Sequence, residues 1–289
     1  MLPPLISKLD VEIGTPGSII FEASGRLIGS GFGVSRGNIL FEIDPANGKV
    51  SNIRSLLGGF APQGLGLALS DNIITIAGNG TWGYGGDGGP ALNANFNIPS
   101  GVAADSSGNV FIADTSNHRV RKVDIFGTIT TVAGTRTLGY NGDNIPAASA
   151  QLTYPTGVAV DNASNLFIAE HGHRIRKVDT AGFITTVAGT GINGYKGDNI
   201  SATNAMLRVP TGVAVDSNGN IYIADSENHR VRKVNTSGII TTVAGTGTAG
   251  YNGDNISATS ALLNMPHAVC VDSAGNLYIA ERIGHVYVR

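Results

Sequence analysis

Short apolar stretches separated by Gly, Asn, Asp and Ser run through the chain, and from residue 99 onward they return in a fixed order. Pro99-Ser-Gly-Val-Ala-Ala-Asp105 comes back as Pro155-Thr-Gly-Val-Ala-Val-Asp161, Pro210-Thr-Gly-Val-Ala-Val-Asp216 and Pro266-His-Ala-Val-Cys-Val-Asp272, at intervals of 56, 55 and 56 residues. A polar turn and a second stretch follow each time: Val110-Phe-Ile-Ala, Leu166-Phe-Ile-Ala, Ile221-Tyr-Ile-Ala and Leu277-Tyr-Ile-Ala. An acid closes it, Asp114, Glu170, Asp225 or Glu281. A third stretch, Arg119-Val-Arg-Lys-Val123 in the first unit, leads through Gly127, Gly182 or Gly238 to a fourth, Ile-Thr-Thr-Val-Ala-Gly. Four β-rich stretches joined by turn residues predict an antiparallel meander. Meanders repeated at this length predict an all-β propeller, because a solenoid coil is shorter and an immunoglobulin-like unit is about 100 residues.

The first 72 residues follow the pattern less closely. Ile19–Ile28 reads as two strands, and Asn38–Ile53 as a hairpin with Asn47-Gly48 in its turn. Pro62-Gln-Gly-Leu restarts the Pro-x-Gly strand, and Ile73–Gly78 follows at once as a fourth strand. Counting Pro-led starts predicts six blades with a reduced second one: 16–57, 58–79, 80–134, 135–190, 191–246 and 247–289. Residues 1–15 supply a closing strand, with 5–11 pairing against 285–289 and protecting an edge. The competing arrangement makes 1–72 a separate immunoglobulin-like domain.

The strand Pro-x-Gly-Val-Ala-Val-Asp, the strand Gly-Asn-hydrophobic-Tyr-Ile-Ala-Asp and the run Asn-His-Arg-Val-Arg-Lys-Val, intact at Asn117–Val123 and Asn228–Val234, resemble the NHL-repeat family of β-propellers over residues 73–289. The resemblance implies a propeller, usually of six blades. It does not imply one activity, since that family holds interaction domains and a few enzymes.

Alternate connections of a meander share a face, so the second-to-third turn and the unit-to-unit inserts lie together. The inserts at 80–97, 135–153, 191–208 and 247–264 exceed ordinary connections and make this face the binding candidate. Each carries Gly-Tyr-x-Gly-Asp, ending at Asp87, Asp143, Asp198 or Asp254, and an Ala-rich stretch expected to form one helical turn capped by Ser or Asp. One carboxylate per blade is no calcium cage, so these Asp residues are expected to cap turns. Trp82, Tyr84, Tyr140, Tyr195, Tyr251 and His267 are the candidate ligand-binding residues, aromatic side chains being favoured binding anchors.

Two repeated constellations read as structural. Asp114 with His118-Arg119, and Asp225 with His229-Arg230, recur in blade after blade, whereas an active site is needed once. The Arg-x-Arg-Lys strands at 119–122, 174–177 and 230–233 read as solvated outer strands. Departures from the repeat suggest an enzyme alternative: a lyase or lactone-type hydrolase using a divalent metal such as Zn or Ca at the channel mouth, held by His267, His171, Glu170 and Glu281. Related propeller lyases and lactonases use metal at the axis, so this alternative rests on resemblance.

Composition narrows the setting. The formal net charge is −2, so no strong case for nucleic acid exists, and the hydrophobic share of 42% excludes a disordered chain. No apolar run approaches ~18 residues and the N-terminus lacks a basic, apolar leader, so neither a membrane span nor a signal peptide is expected. Cys270, the one cysteine, is expected to be packed and inert. Asn-x-Ser/Thr at Asn79, Asn162, Asn199, Asn235 and Asn255 is weak evidence for secretion. The compartment stays open, an extracellular or periplasmic place within a larger protein being one option. The sequence is read as a soluble, non-catalytic binding or scaffold propeller for a protein or glycan ligand, without a cofactor.

Overall fold

The computed structural model describes residues 16–21, 27–31, 39–43, 74–282 and 286–288. Twenty strands form five antiparallel sheets among them. The first holds β1 (Pro16–Phe21), β2 (Leu27–Gly31) and β3 (Ile39–Ile43). The second holds β4 (Pro99–Ala104), β5 (Val110–Asp114), β6 (Arg119–Val123) and β7 (Ile129–Ala133). The third holds β8 (Ile145–Pro146), β9 (Pro155–Val160), β10 (Leu166–Glu170), β11 (Arg174–Val178) and β12 (Phe183–Ala188). The fourth holds β13 (Ile200–Ser201), β14 (Pro210–Val215), β15 (Ile221–Asp225), β16 (Arg230–Val234) and β17 (Ile239–Ala244). The fifth holds β18 (Pro266–Val271), β19 (Leu277–Glu281) and β20 (Val286–Val288).

The first strands of the sheets pack in series, β4 on β9, β9 on β14, β14 on β18 and β18 on β1, and β1 also lies against β4. The sheet at 16–43 therefore takes a place in the ring. Residues 5–11, 44–73, 285 and 289 lie outside the described residues, and with them the closing strand, the Asn47-Gly48 turn and most of the reduced blade.

Backbones approach closely at the axis, and this explains the Pro-x-Gly head of each inner strand. A Cβ on Gly101 would sit 2.1 Å from the Thr156 carbonyl oxygen, and one on Gly157 2.6 Å from that of Thr211. The middle strands β5, β10 and β15 are buried along their whole length because both faces of each sheet are covered. The core lies between sheets: Phe111, Ala113 and Val120 of one unit meet Val158, Ile168 and Ile184 of the next. On the far side, Asp105, Asp124, Asp161, Asp179, Asp216 and Asp272 close tight turns by accepting backbone N–H groups.

The inserts correct one expectation. Their Ala-rich stretches are 3₁₀ turns at Ala91–Asn93, Ala147–Ser149, Ala202–Asn204 and Ala258–Ser260, and no Ser or Asp side chain caps any of them. Alanine is needed for packing instead. Ala147, Ala150 and Leu152 are buried in the cluster between adjacent sheets. β8 and β13 then pair with the outer strands β12 and β17, so these two inserts clamp the rims of the units that follow them.

Candidate functional site

The turn between second and third strands, the start of each insert and the head of each inner strand converge on one end of the ring. Three of the five units build the same buried network there. In the unit at 99–133, Arg121 is fully buried and its guanidinium reaches Asp87 of the preceding insert at 2.7 Å and Asp114 at 3.7 Å. Arg176 repeats this with Asp143 (3.0 Å) and Glu170 (3.7 Å), and Arg232 with Asp198 (2.8 Å) and Asp225 (3.6 Å). The solvated reading of these strands is therefore corrected for alternate residues: the insert folds back over the third strand and seals the second arginine of Arg-x-Arg. The Asp of Gly-Tyr-x-Gly-Asp is an ion partner as well as a turn residue, and it also accepts the hydroxyl of Thr131, Thr186 or Thr242.

The motif tyrosines lie over the first arginine of each Arg-x-Arg. Tyr84, Tyr140 and Tyr195 stack on Arg119, Arg174 and Arg230 at 4.1, 3.9 and 4.0 Å, leaving an edge of each ring toward solvent. In the last unit the register places Tyr287 where the buried arginine stands elsewhere, and Tyr251 keeps Asp254 as its neighbour. In the first sheet Gly31 and Phe41 occupy the acid and arginine positions, so both are lost together.

Burial sets the state of the acids. It pushes Asp114 and Asp225 up to about 6, against the N–H groups of Asn97 and Arg208, the amides of Asn117 and Asn228, and the arginine charge. Glu170 goes up to about 8 by burial, with Arg176 pulling the other way; neither of its oxygens reaches hydrogen-bond geometry. Asp87, nearer the surface, is raised by burial but held below the usual carboxylate range by Thr131, Tyr84 and Arg121. Glu replaces Asp where the turn is shorter: Ala169 pairs Ile175 and Ala280 pairs Val286, against Ala113 with Val120 and Ala224 with Val231.

Each turn histidine acts across units. Nδ1 of His118, His173 and His229 accepts the N–H of Tyr154, Val209 and Met265 at 3.4, 3.1 and 3.1 Å. Those acceptors' partners precede the inner-strand proline and hold positive φ, near 46–51°, as Ile98 does, a conformation costly for Ile and Val. The acid–histidine–arginine sets are thus a structural network.

The candidate ligand and metal residues separate into places. Trp82 is 81% exposed at an insert crest, where Leu138 and Ile192 are 49% and 58% exposed. His267 heads β18 beside the axis, half-buried, with His171 and Arg282 close enough for their charges to act on it. Glu170 and Glu281 are buried in their own units, and among the described residues no three His, Cys, Asp or Glu side chains are grouped to hold a metal ion. Cys270 is buried, and burial pushes its thiol up to about 12. Tyr154, Ile98 and Met265 at the mouth were not singled out from sequence; the signal was the large apolar residue before each Pro. A cavity of about 360 Å³ lined by Tyr222, Lys233, Val243, Gly275 and Leu277 lies between the last two units.

The model of the NHL repeat matches residues 96–123 and 207–234, the segments that carry Asp114, Asn117, His118 and Arg121 and their counterparts. Those two segments are NHL repeats. The model of the Teneurin NHL domain matches residues 139–196. Mouse Teneurin-4 is 29% identical over 229 residues, 71% of this chain and 8% of that protein. Teneurin-m of Drosophila melanogaster is 27% identical over 224 residues, 69% of this chain and again 8% of the relative. The chain therefore spans less than a tenth of the curated relatives it matches. Among solved structures, a Bacteroides thetaiotaomicron protein of unknown function superposes with a TM-score of 0.61 at 18% identity, covering 95% of this chain and 59% of that one. An auxiliary nutrient binding protein of the same organism gives 0.59 at 17% identity, covering 93% and 67%. These likenesses show the propeller fold. Among the described residues no helix is long and apolar enough to cross a membrane.

Proposed function

We propose that residues 1–289 form one propeller acting as a non-catalytic binding or scaffold module, which docks a protein or glycan ligand on its insert face. The exposure of Trp82 carries this reading. A tryptophan 81% exposed on a rigid crest has no packing role, and with Leu138 and Ile192 it offers an apolar rim of the kind that interaction sites use. The opposite face has only tight Asx turns, which present little shape to read. Tyr84, Tyr140 and Tyr195 are tied down by arginines and Tyr251 by Asp254, so the four serve as walls and Trp82 as the anchor. Teneurin similarity and a nutrient-binding neighbour support a binding role without naming a ligand for this chain.

Trp82 is the one tryptophan in the sequence, so its fluorescence reports directly on the crest. Titration with a panel of soluble glycans and cell-surface ectodomains should shift its emission for the true ligand, and Trp82→Ala should abolish that binding. Asn218→Lys, on the opposite face, should leave it intact. Loss with Asn218→Lys and retention with Trp82→Ala would place the ligand on the other side.

A further inference from the structure

Among non-glycine residues held at positive φ, the inner-strand heads, the turn histidines and the insert asparagines recur from unit to unit, whereas Arg136 and Ser164 do not. Arg136 lies on the insert face. Gly80, Gly191 and Gly247 stand in its place in the other inserts, at φ of +80°, +82° and +93°, and Arg136 keeps that left-handed backbone at +78°. An arginine is strained there where glycine is not, and residues strained in this way cluster at ligand-binding sites. The substitution also rearranges its surroundings. A Cβ on Gly191 or Gly247 would fall on the guanidinium of Arg174 or Arg230, which donates through Nη1 to the turn carbonyl of Gly172 or Asn228. Arg119, the counterpart beside Arg136, donates through Nη1 to the hydroxyls of Tyr84 at 3.0 Å and Thr131 at 3.3 Å instead. Arg119, Arg121 and Arg136 thereby gather round one ring, their Cζ atoms 4.1, 5.1 and 5.8 Å from the Tyr84 centroid.

The acids beside these arginines are already engaged. Asp87 holds Arg121 at 2.7 Å with one oxygen and accepts the hydroxyls of Tyr84 and Thr131, each at 2.6 Å, with the other. Asp114 is buried, with Arg121 at 3.7 Å. Arg136 is exposed, and among the described residues it meets the Tyr84 ring alone, with no carboxylate, carbonyl or hydroxyl in hydrogen-bond reach. One exposed positive charge is therefore left without a partner. Trp82 lies two residues before Tyr84 on one insert, and Leu138 two residues after Arg136 on the next; both are exposed.

We infer that this part of the crest binds an acidic segment of a protein partner, a carboxylate pairing with Arg136 while an apolar neighbour packs on Trp82 and Leu138. The inference rests on the insert face being the binding face and narrows its ligand. The guanidinium presents the fork that matches a carboxylate in two parallel bonds. Arg119 and Arg121 stand round the same ring, so an incoming anion relieves a like-charge repulsion as well as forming a bond. Trp82 and Leu138 offer the hydroxyls of a sugar one donor and no acceptor between them, and suit the apolar side chains of a peptide.

The test is selection from a random peptide library displayed on phage, run against the full chain and its Arg136→Gly and Trp82→Ala variants. Peptides taken by the parent should carry Asp or Glu beside an apolar residue severalfold more often than the starting library. Arg136→Gly should lose that acid enrichment, and a synthetic peptide from the parent selection should bind it roughly tenfold more weakly, the loss of a charge-assisted bond. Affinity of the parent for that peptide should fall as salt is raised. Arg136→Gly should also raise the denaturation midpoint, because it restores the residue that this backbone suits. A lower midpoint would make Arg136 a structural partner of Tyr84 and overturn the inference. Acid enrichment that survives Arg136→Gly, or no acid enrichment with the parent, would overturn it too. Apolar peptides without acids, lost with Trp82→Ala, would overturn the acid and leave the crest as the binding face; acidic peptides that need Arg136 but not Trp82 would uphold the acid and remove Trp82 as the anchor. Preference of the parent for heparin oligosaccharides over the selected peptides would assign the anion to a glycan and overturn the protein partner.

Discussion

The imidazole of His229 accepts the backbone N–H of Met265, thirty-six residues further along the chain, at 3.1 Å through Nδ1. His118 and His173 do the same to Tyr154 and Val209, so one bond per interface ties a second-to-third turn to the head of the next inner strand. The bonded N–H belongs to a residue at positive φ, and the staple holds a backbone geometry that the side chain there disfavours. His229→Ala should lower stability by about 1–2 kcal/mol, the cost of leaving the Met265 N–H unpaired. Denaturant melts should show it, with Trp82 emission in the folded protein unchanged. A variant as stable as the parent would remove the staple from the account.

The same bonds set a pH response. Only an unprotonated Nδ1 can accept, and burial holds His118, His173 and His229 below the ordinary histidine value in the folded chain. A folded value lower than the unfolded one means that the unfolded chain binds more protons. The contribution of these histidines is therefore present above about pH 6.5 and is lost as pH falls through their lowered values. The difference in stability between the parent and the His118→Ala, His229→Ala double variant should shrink on acidification from pH 7 to about pH 5. A difference that stays constant would show that Nδ1 is not the acceptor.

Arg121 tests the clamp between insert and sheet. It has no exposed surface and bridges Asp87 to Asp114. Asp87→Ala leaves the guanidinium buried beside a carboxyl that is 3.7 Å away and strained by burial. Removing one partner of such a pair costs about 3–5 kcal/mol. Asp254→Ala, in the unit whose register position holds Tyr287, should cost far less. Equal losses at the two positions would mean that the Asp acts only in its turn.

Much of this was legible in the sequence and the rest was hidden for identifiable reasons. The meander, the Pro-led strand starts and the NHL character follow from the repeat. The axial approach of backbones was written in the recurring Gly101, Gly157 and Gly212. Burial of Arg121 was not visible, because a third strand with alternating Arg reads as solvated until a segment more than thirty residues earlier covers it. The sign was there in Gly-Tyr-x-Gly-Asp, whose Asp precedes each Arg-x-Arg strand. The mouth was missed in part because Ile98, Tyr154, Val209 and Met265 differ in type and share only their place before proline. The expected capped helical turns were an error of the same kind: Ala was chosen for space between sheets, not for helix propensity.

Gly157 gives a sharper test of the axis. Its φ is not in the left-handed region, so conformational freedom is not the reason for glycine there. A Cβ would meet the Thr211 carbonyl oxygen at 2.6 Å and the Gly212 Cα at 2.9 Å, both backbone atoms of the neighbouring inner strand. Gly157→Ala should force β9 and β14 apart and destabilise by about 1–3 kcal/mol, as overpacking does. Gly182→Ala, where a Cβ would meet nothing within 4 Å, tests backbone strain alone through its φ of +84°. A Gly157→Ala melt within error of the parent would mean that the inner strands are not in contact.

Glu170 isolates the electrostatics of a single buried acid. Its carboxyl is pushed up to about 8 by burial despite Arg176, whereas the unfolded value is near 4.5. Between those values the folded chain holds a proton that the unfolded chain has released. Stability from this group is thus fully present below about pH 4.5 and is lost as pH rises through about 8, at no more than ~1.4 kcal/mol per pH unit. Asp114 and Asp225 act in the same direction but are finished by about pH 6, and the histidines act in the opposite direction below about 6.5. From about pH 6.5 to 8 Glu170 contributes a falling slope that these other groups do not. Glu170→Gln keeps the shape of the protonated acid and cannot ionise, so it should match the parent near pH 4.5 and exceed it in stability by a margin that grows up to about pH 8. Urea melts across that range decide it: parallel profiles for parent and Glu170→Gln would show that Arg176 keeps Glu170 ionised in the folded chain.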